Sequence, residues 1–180
     1  MEKKLRVLAI VGINEPNLPI GRLWRNFEEA FCGVYTGAKF VVERQHFMPW
    51  EGDKVRNFAE EILEKHDTNQ EEEILLLGYS MGGCIATAIA DRFEKVKVHQ
   101  IVTVFSPHTF FGKTFSKMCG SNLERTEAPV ISFAARFDPI VWWGSRHPHA
   151  KKHIVLRTDH LFGLHFEGPV KQIAHASFHL

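Results

Sequence analysis

Ile74-Leu75-Leu76-Leu77-Gly78-Tyr79-Ser80-Met81-Gly82-Gly83 is the stretch that decides the fold. Glu71, Glu72 and Glu73 precede it, so the chain passes from a polar loop into a short apolar run of the kind buried on both faces of a parallel sheet. Beyond it, Cys84-Ile85-Ala86-Thr87-Ala88-Ile89-Ala90 supplies small and apolar residues that let a helix pack close to that sheet. A serine is left on the turn between strand and helix. A residue with a side chain is strained in so tight a turn, and neighbours without bulk keep it from clashing. Strand, strained serine and helix in this order make a nucleophile elbow, which lifts a hydroxyl clear of the top of a sheet.

On either side of this unit, strands alternate with helices. Leu5 to Val11 is a buried-strand run closed by Gly12. After Pro19, the residues Ile20, Leu23, Trp24, Phe27 and Phe31 recur at helical spacing. Phe40-Val41-Val42 starts a second strand. From Asp53, the expected N-cap, Val55, Phe58, Ala59, Ile62 and Leu63 mark one helix face. The elbow is the third unit, with its helix ending near Phe93. Val96 to Phe105 reads as a fourth strand, Pro129 to Ala135 as a fifth and His153 to Leu156 as a sixth. A last helix runs from Pro169 with Val170, Ile173, Ala174 and Phe178 on its stripe. Such alternation demands a mostly parallel sheet of about six strands between two helical layers, a three-layer α/β/α sandwich.

Composition bounds the function. With 180 residues, 44% of them hydrophobic, the chain can bury a core without disulfides, and residues 1–180 are expected to form a single domain. A net charge of +1 gives no footprint for nucleic acid, and no stretch reaches the apolar length of a membrane span. The start, Met1-Glu2-Lys3-Lys4, lacks the long apolar core of a signal peptide, so a cytoplasmic protein is expected. Cys32, Cys84 and Cys119 are scattered and read as reduced thiols. The expected partner is a neutral small molecule.

Ligands of parallel sheets gather at the carboxyl ends of the strands, so the residues after each strand form the site inventory. Arg136-Phe137-Asp138-Pro139-Ile140-Val141 follows the fifth strand and Arg157-Thr158-Asp159-His160 the sixth. The chain order is therefore Ser, acid, His, which differs from that of the chymotrypsin and subtilisin folds. On these residues the chain resembles the α/β-hydrolase superfamily, in a minimal form without a cap domain. It is similar to small lidless bacterial lipases and to serine hydrolases of the retinoblastoma-binding-protein type. The resemblance spans Leu5 to the last helix. It implies Ser80 as nucleophile, His160 as general base and then acid, and Asp138 as the carboxylate that orients the imidazole. It also implies an oxyanion hole of two backbone N–H groups, from Met81 and from Ile13, with Gly12 and Asn14 as alternatives to Ile13, because Val11-Gly12 stands where lipases commonly carry His-Gly.

The three residue types answer a chemical need. A serine hydroxyl is a weak nucleophile until a neighbouring base takes its proton, and neutral imidazole is the side chain suited to that near neutral pH. Each assignment has a rival. Asp138 before Pro139 could simply start a turn, Asp159 is a second acid, and His165 a second base. His147-Pro148-His149 with His153 invites a metal reading but lacks a Cys or a paired carboxylate, so these read as solvated loop histidines. No cofactor or metal is expected.

Aromatic residues follow the strands: Trp50, then Phe105, Phe110, Phe111 and Phe115, then Trp142, Trp143 and Phe162. Some must be core; the candidate substrate-lining set is Gly12, Tyr79, Phe110, Trp142 and Trp143. Ser106 to Ala128 is the longest irregular connection and the expected rim or flap. The reading that results is a serine hydrolase cleaving carboxylic esters through an acyl-enzyme, esterase or lipase in type. A thioesterase, amidase or cyclase on the same triad, and a binding protein that keeps the fold without catalysis, are the other readings. Acyl length and oligomeric state are left open by these residues.

Overall fold

A computed structural model describes residues 4–13, 20–48, 50–68, 71–120, 126–139, 141, 145–160 and 163–179. Six strands, β1 (Lys4–Ile13), β2 (Lys39–Gln45), β3 (Glu72–Tyr79), β4 (Lys97–Val104), β5 (Val130–Ala135) and β6 (Lys152–Leu156), form one sheet in the order β2-β1-β3-β4-β5-β6. Every pairing is parallel. Among the described residues five α-helices flank them: α1 (Ile20–Val34), α2 (Gly52–His66), α3 (Met81–Ile89), α4 (Lys113–Met118) and α5 (Glu167–Phe178).

The apolar runs of β1 and β3 follow from burial on both faces. Side chains alternate across a strand, so Val7, Ala9, Val11, Leu75 and Leu77 pack on one side with α1 and α5, while Leu8, Ile10, Ile74 and Leu76 pack on the other with α2, α3 and α4. The helix α1 offers Leu23, Trp24, Phe27, Ala30 and Phe31 as a single buried stripe. Trp24, Phe27 and Phe31 stack along it with centroid spacings of 5.4 and 6.2 Å. The sheet is thus the middle layer of a three-layer α/β/α sandwich.

Several boundaries differ from those expected. Phe105 leaves β4 with φ 52° and lies fully buried on the turn beyond it. The connection after β4 is not wholly irregular: a π-helical turn over His108–Gly112 runs into α4. Glu51, not Asp53, precedes α2, without a side-chain cap bond of its own. Phe178 is 52% exposed, and Ser177 takes the buried position expected of it. At the far end of α2, Asp67 accepts hydrogen bonds from the N–H groups of Glu94, Lys95 and Val96 at 2.8 to 2.9 Å, tying that helix to the entry of β4. Among the described residues no helix is long and apolar enough to cross a membrane.

The sheet order sets the place of the site. From β1, the sheet continues to β2 on one side and to β3 on the other, so the chain order reverses there, and in such sheets ligands gather at the carboxyl ends of the strands beside the reversal. Gly12, the last residue but one of β1, and Ser80, which follows β3, lie at this place.

Candidate active site

Ser80 has φ 53° and ψ −128°, a conformation that costs a residue with a side chain on the order of 1–3 kcal/mol. It is held there by its own N–H, which donates to the Val104 carbonyl at 2.8 Å. Tight packing of α3 beneath it explains the glycines. A Cβ on Gly82 would strike the Ile10 carbonyl of β1, and one on Gly83 would strike the Ser106 hydroxyl. Gly12 approaches from the other side. A Cβ there would lie 2.8 Å from the Ser80 Cβ and 3.1 Å from the Met81 nitrogen.

Three side chains from separate loops meet above this turn. His160, 2% exposed, has its Nε2 at 3.2 Å from Ser80 Oγ and its Nδ1 at 2.6 Å from Asp138 Oδ2. Asp138 is 3% exposed, while Ser80 remains half-exposed. The tautomer follows from the contacts. A carboxylate can only accept, so Nδ1 carries the proton and Nε2 is left as the acceptor for the serine hydroxyl.

Asp138 uses both of its carboxylate oxygens. Its Oδ1 accepts the Val141 N–H at 2.8 Å, closing the Asp-Pro turn, and its Oδ2 takes the imidazole. Turn formation thus aims the second oxygen. Asp159 is half-buried next to His160 in sequence, and the carboxylate on Nδ1 is Asp138. His165 sits in a short 3-10 turn, Gly163–His165, with its carbonyl bonded by Asn26 Nδ2.

Met81 opens α3, so its N–H has no acceptor within the helix and is available beside Ser80. Ile13 ends β1 after a register shift and pairs with Gln45. Asn14 lies outside the described residues.

The expected substrate-lining residues fare differently. Tyr79 points its hydroxyl at the His160 carbonyl, donating a 2.6 Å hydrogen bond, and its ring stands 5.5 Å from the imidazole. Sequence reasoning missed this contact, because its partner is a backbone carbonyl that any residue supplies. Phe110 has its backbone in the π-helical turn, and its side chain lies outside the described residues, as do Trp142, Trp143 and Phe162. Phe105 and Phe115 are core, whereas Trp50 is 73% exposed. A hollow of about 610 Å³ opens at the amino ends of β4 and β5, lined by Phe93, Val96 and Ala128 together with charged Glu94, Lys95 and Glu127, on the opposite rim from Ser80 and with no Ser, Cys or His among the described residues that line it. The serine, histidine and carboxylate geometry is the better guide to chemistry.

The loop histidines also correct expectation. His147 is fully buried, and its ring packs edge-on to that of buried His108 at 4.8 Å. Burial lowers the His147 pKa to about 4 and that of His108 well below the usual value. His149 is exposed, and His153 Nδ1 bonds Ser132 Oγ at 2.7 Å. Among the described residues no three His, Cys, Asp or Glu side chains are grouped to hold a metal.

The parallel sheet, the strained serine after β3 and the loops that meet it define an α/β-hydrolase architecture. The model of the family described as PGAP1-like alpha/beta domain matches residues 42–131, half of the 180-residue chain, and the chain belongs to that family within the α/β-hydrolase superfamily. The match contains Ser80 and ends before Asp138 and His160. Solved structures share the fold at low identity. The esterase domain of a Rhodothermus marinus protein is 19% identical with a TM-score of 0.58, covering 96% of this chain and 84% of its own. An alpha-beta serine hydrolase homologue from Coxiella burnetii is 14% identical with a TM-score of 0.60, covering 94% and 84%. A hyperthermophilic esterase from the archaeon Pyrobaculum calidifontis is 15% identical with a TM-score of 0.60, covering 98% and 77%. No curated protein matches the chain in sequence.

Proposed function

We propose that the chain is a serine hydrolase, one domain over residues 1–180, that cleaves carboxylic esters of small molecules through an acyl-enzyme. The observation that carries this reading is the pair of hydrogen bonds, 3.2 and 2.6 Å long, that link Ser80 Oγ to His160 and His160 to Asp138. Ser80 attacks the acyl carbon as His160 Nε2 takes the hydroxyl proton, and Asp138 stabilises the imidazolium that forms. The tetrahedral oxyanion is met by the N–H of Met81 and, from the end of β1, that of Ile13. His160 then protonates the departing alcohol. Water repeats the sequence in reverse roles and frees the acid. Half-exposure of Ser80 suits an accessible ester better than a peptide bond, and the esterase and serine hydrolase names among the fold neighbours support the same class.

The test is a matched panel of p-nitrophenyl esters, thioesters and anilides run on the wild type and on Ser80→Ala. Esters are expected to turn over fastest, and Ser80→Ala to lose activity by on the order of a million-fold, as in a protease triad. Faster thioester or anilide cleavage would move the specificity to acyl transfer of another kind. Equal rates for wild type and Ser80→Ala would end the serine mechanism.

A further inference from the structure

We infer that Tyr79 is a positioning residue that fixes the distance between base and nucleophile, an inference that rests on the proposed roles of Ser80 and His160. His160 stands on an irregular segment after β6, and a side chain on a loop is only as well placed as its backbone. Asp138 fixes the rotation and tautomer of the ring through Nδ1. Tyr79 acts on the root of that side chain. Its hydroxyl donates to the His160 carbonyl at 2.6 Å across 81 residues of sequence.

Tyr79 is well built for this task. It is the last residue of β3, and the next residue is Ser80 itself, so the group that holds the histidine backbone is bonded directly to the strained turn that aims the hydroxyl. Its ring is lodged edge-on between Trp24 at 6.3 Å and Phe105 at 6.4 Å, and both of those residues are buried. The Tyr79 and Phe105 rings also lie 5.5 and 5.9 Å from the imidazole, which is thus packed against aromatic side chains. Nucleophile and base therefore share one rigid reference. This matters because the Ser80–His160 contact, at 3.2 Å, is at the long end of an effective hydrogen bond. Loosening the histidine backbone lets that distance grow.

The experiment uses Tyr79→Phe, which removes the donor and keeps the ring. With p-nitrophenyl acetate, kcat is expected to fall about tenfold, short of the hundredfold that a full 1 Å displacement of a catalytic group can cause, with KM within about twofold of wild type. The downfield Nδ1 proton resonance of His160 is expected to broaden and to exchange faster with water. A merely structural tyrosine would lower the melting temperature and leave kcat and the resonance of the folded protein unchanged, and that result overturns the inference. Should Tyr79→Phe not fold, 3-fluorotyrosine incorporated in a Tyr35→Phe background changes the donor strength of Tyr79 alone, since the chain has two tyrosines. The same tests then apply, with a shift in kcat expected and an unchanged kcat and resonance counting against the inference. An inactive wild type would refute the serine hydrolase reading by itself, and the proton resonance would still decide the role of Tyr79.

Discussion

Ser80 is the residue at which backbone energetics and proposed chemistry meet. Its φ of 53° with ψ near −128° is a conformation only glycine adopts at ease, and the bond from its N–H to Val104 shows how the surrounding sheet holds it. Ser80→Gly is therefore expected to be more stable than Ser80→Ala by about 1 kcal/mol, because the first relieves the strain and the second keeps it. Urea unfolding of both variants measures the difference, and equal midpoints would show that the turn stores no strain. This residue was legible in the sequence because a sharp turn demands glycine neighbours, and Gly78, Gly82 and Gly83 are conspicuous. Asp138 was legible in two incompatible-looking ways, as turn former and as the carboxylate proposed to orient the imidazole, and its two oxygens make one contact of each kind. The Tyr79 contact was not legible, since a main-chain acceptor leaves no mark on residue identity.

At the scale of elements, α3 is pressed against β1 and against the turn after β4. Gly83→Ala is expected to cost about 1–3 kcal/mol or more, because the new methyl meets Ser106 and Thr103 within a packed core. Gly33→Ala, in the last turn of α1 with nothing within 4 Å, is expected to stabilise by up to about 1 kcal/mol. Thermal unfolding of the two variants should therefore move in opposite directions, and a stable Gly83→Ala would contradict the close approach. Strands buried on both faces announce themselves as unbroken apolar runs, which is why β1 and β3 were readable. The connection after β4 was not, because Phe110, Phe111 and Phe115 follow no single period across the π-helical turn and α4.

For the whole molecule, the sheet order was beyond the sequence, since parallel pairing depends on crossovers that leave no local signal. So was the burial of His147 and His108, set in an inconspicuous Pro-bearing loop and just after a strand. Both carry an Nε2 without a hydrogen-bond partner among the described residues, and desolvation keeps both rings neutral. The unfolded chain takes up a proton on each near pH 6.5, whereas folded His147 does so only near pH 4. More protons are bound by the unfolded state in that interval, so stability is full above it and falls as pH drops through it, by about 3 kcal/mol for His147 at about 1.4 kcal/mol per pH unit. Urea midpoints at pH 7 and pH 4.5 are expected to show this loss, reduced in His147→Asn; an unchanged slope in the variant would place the acid sensitivity elsewhere. Ser80 is proposed to have the opposite property, a hydroxyl that reacts because its neighbours hold it ready. Mapping a fluorophosphonate adduct by peptide mass spectrometry reads that reactivity. A single phosphonylated residue, Ser80, is expected, formed rapidly in the wild type and far more slowly in His160→Gln. A folded wild type that leaves Ser80 unmodified would contradict it.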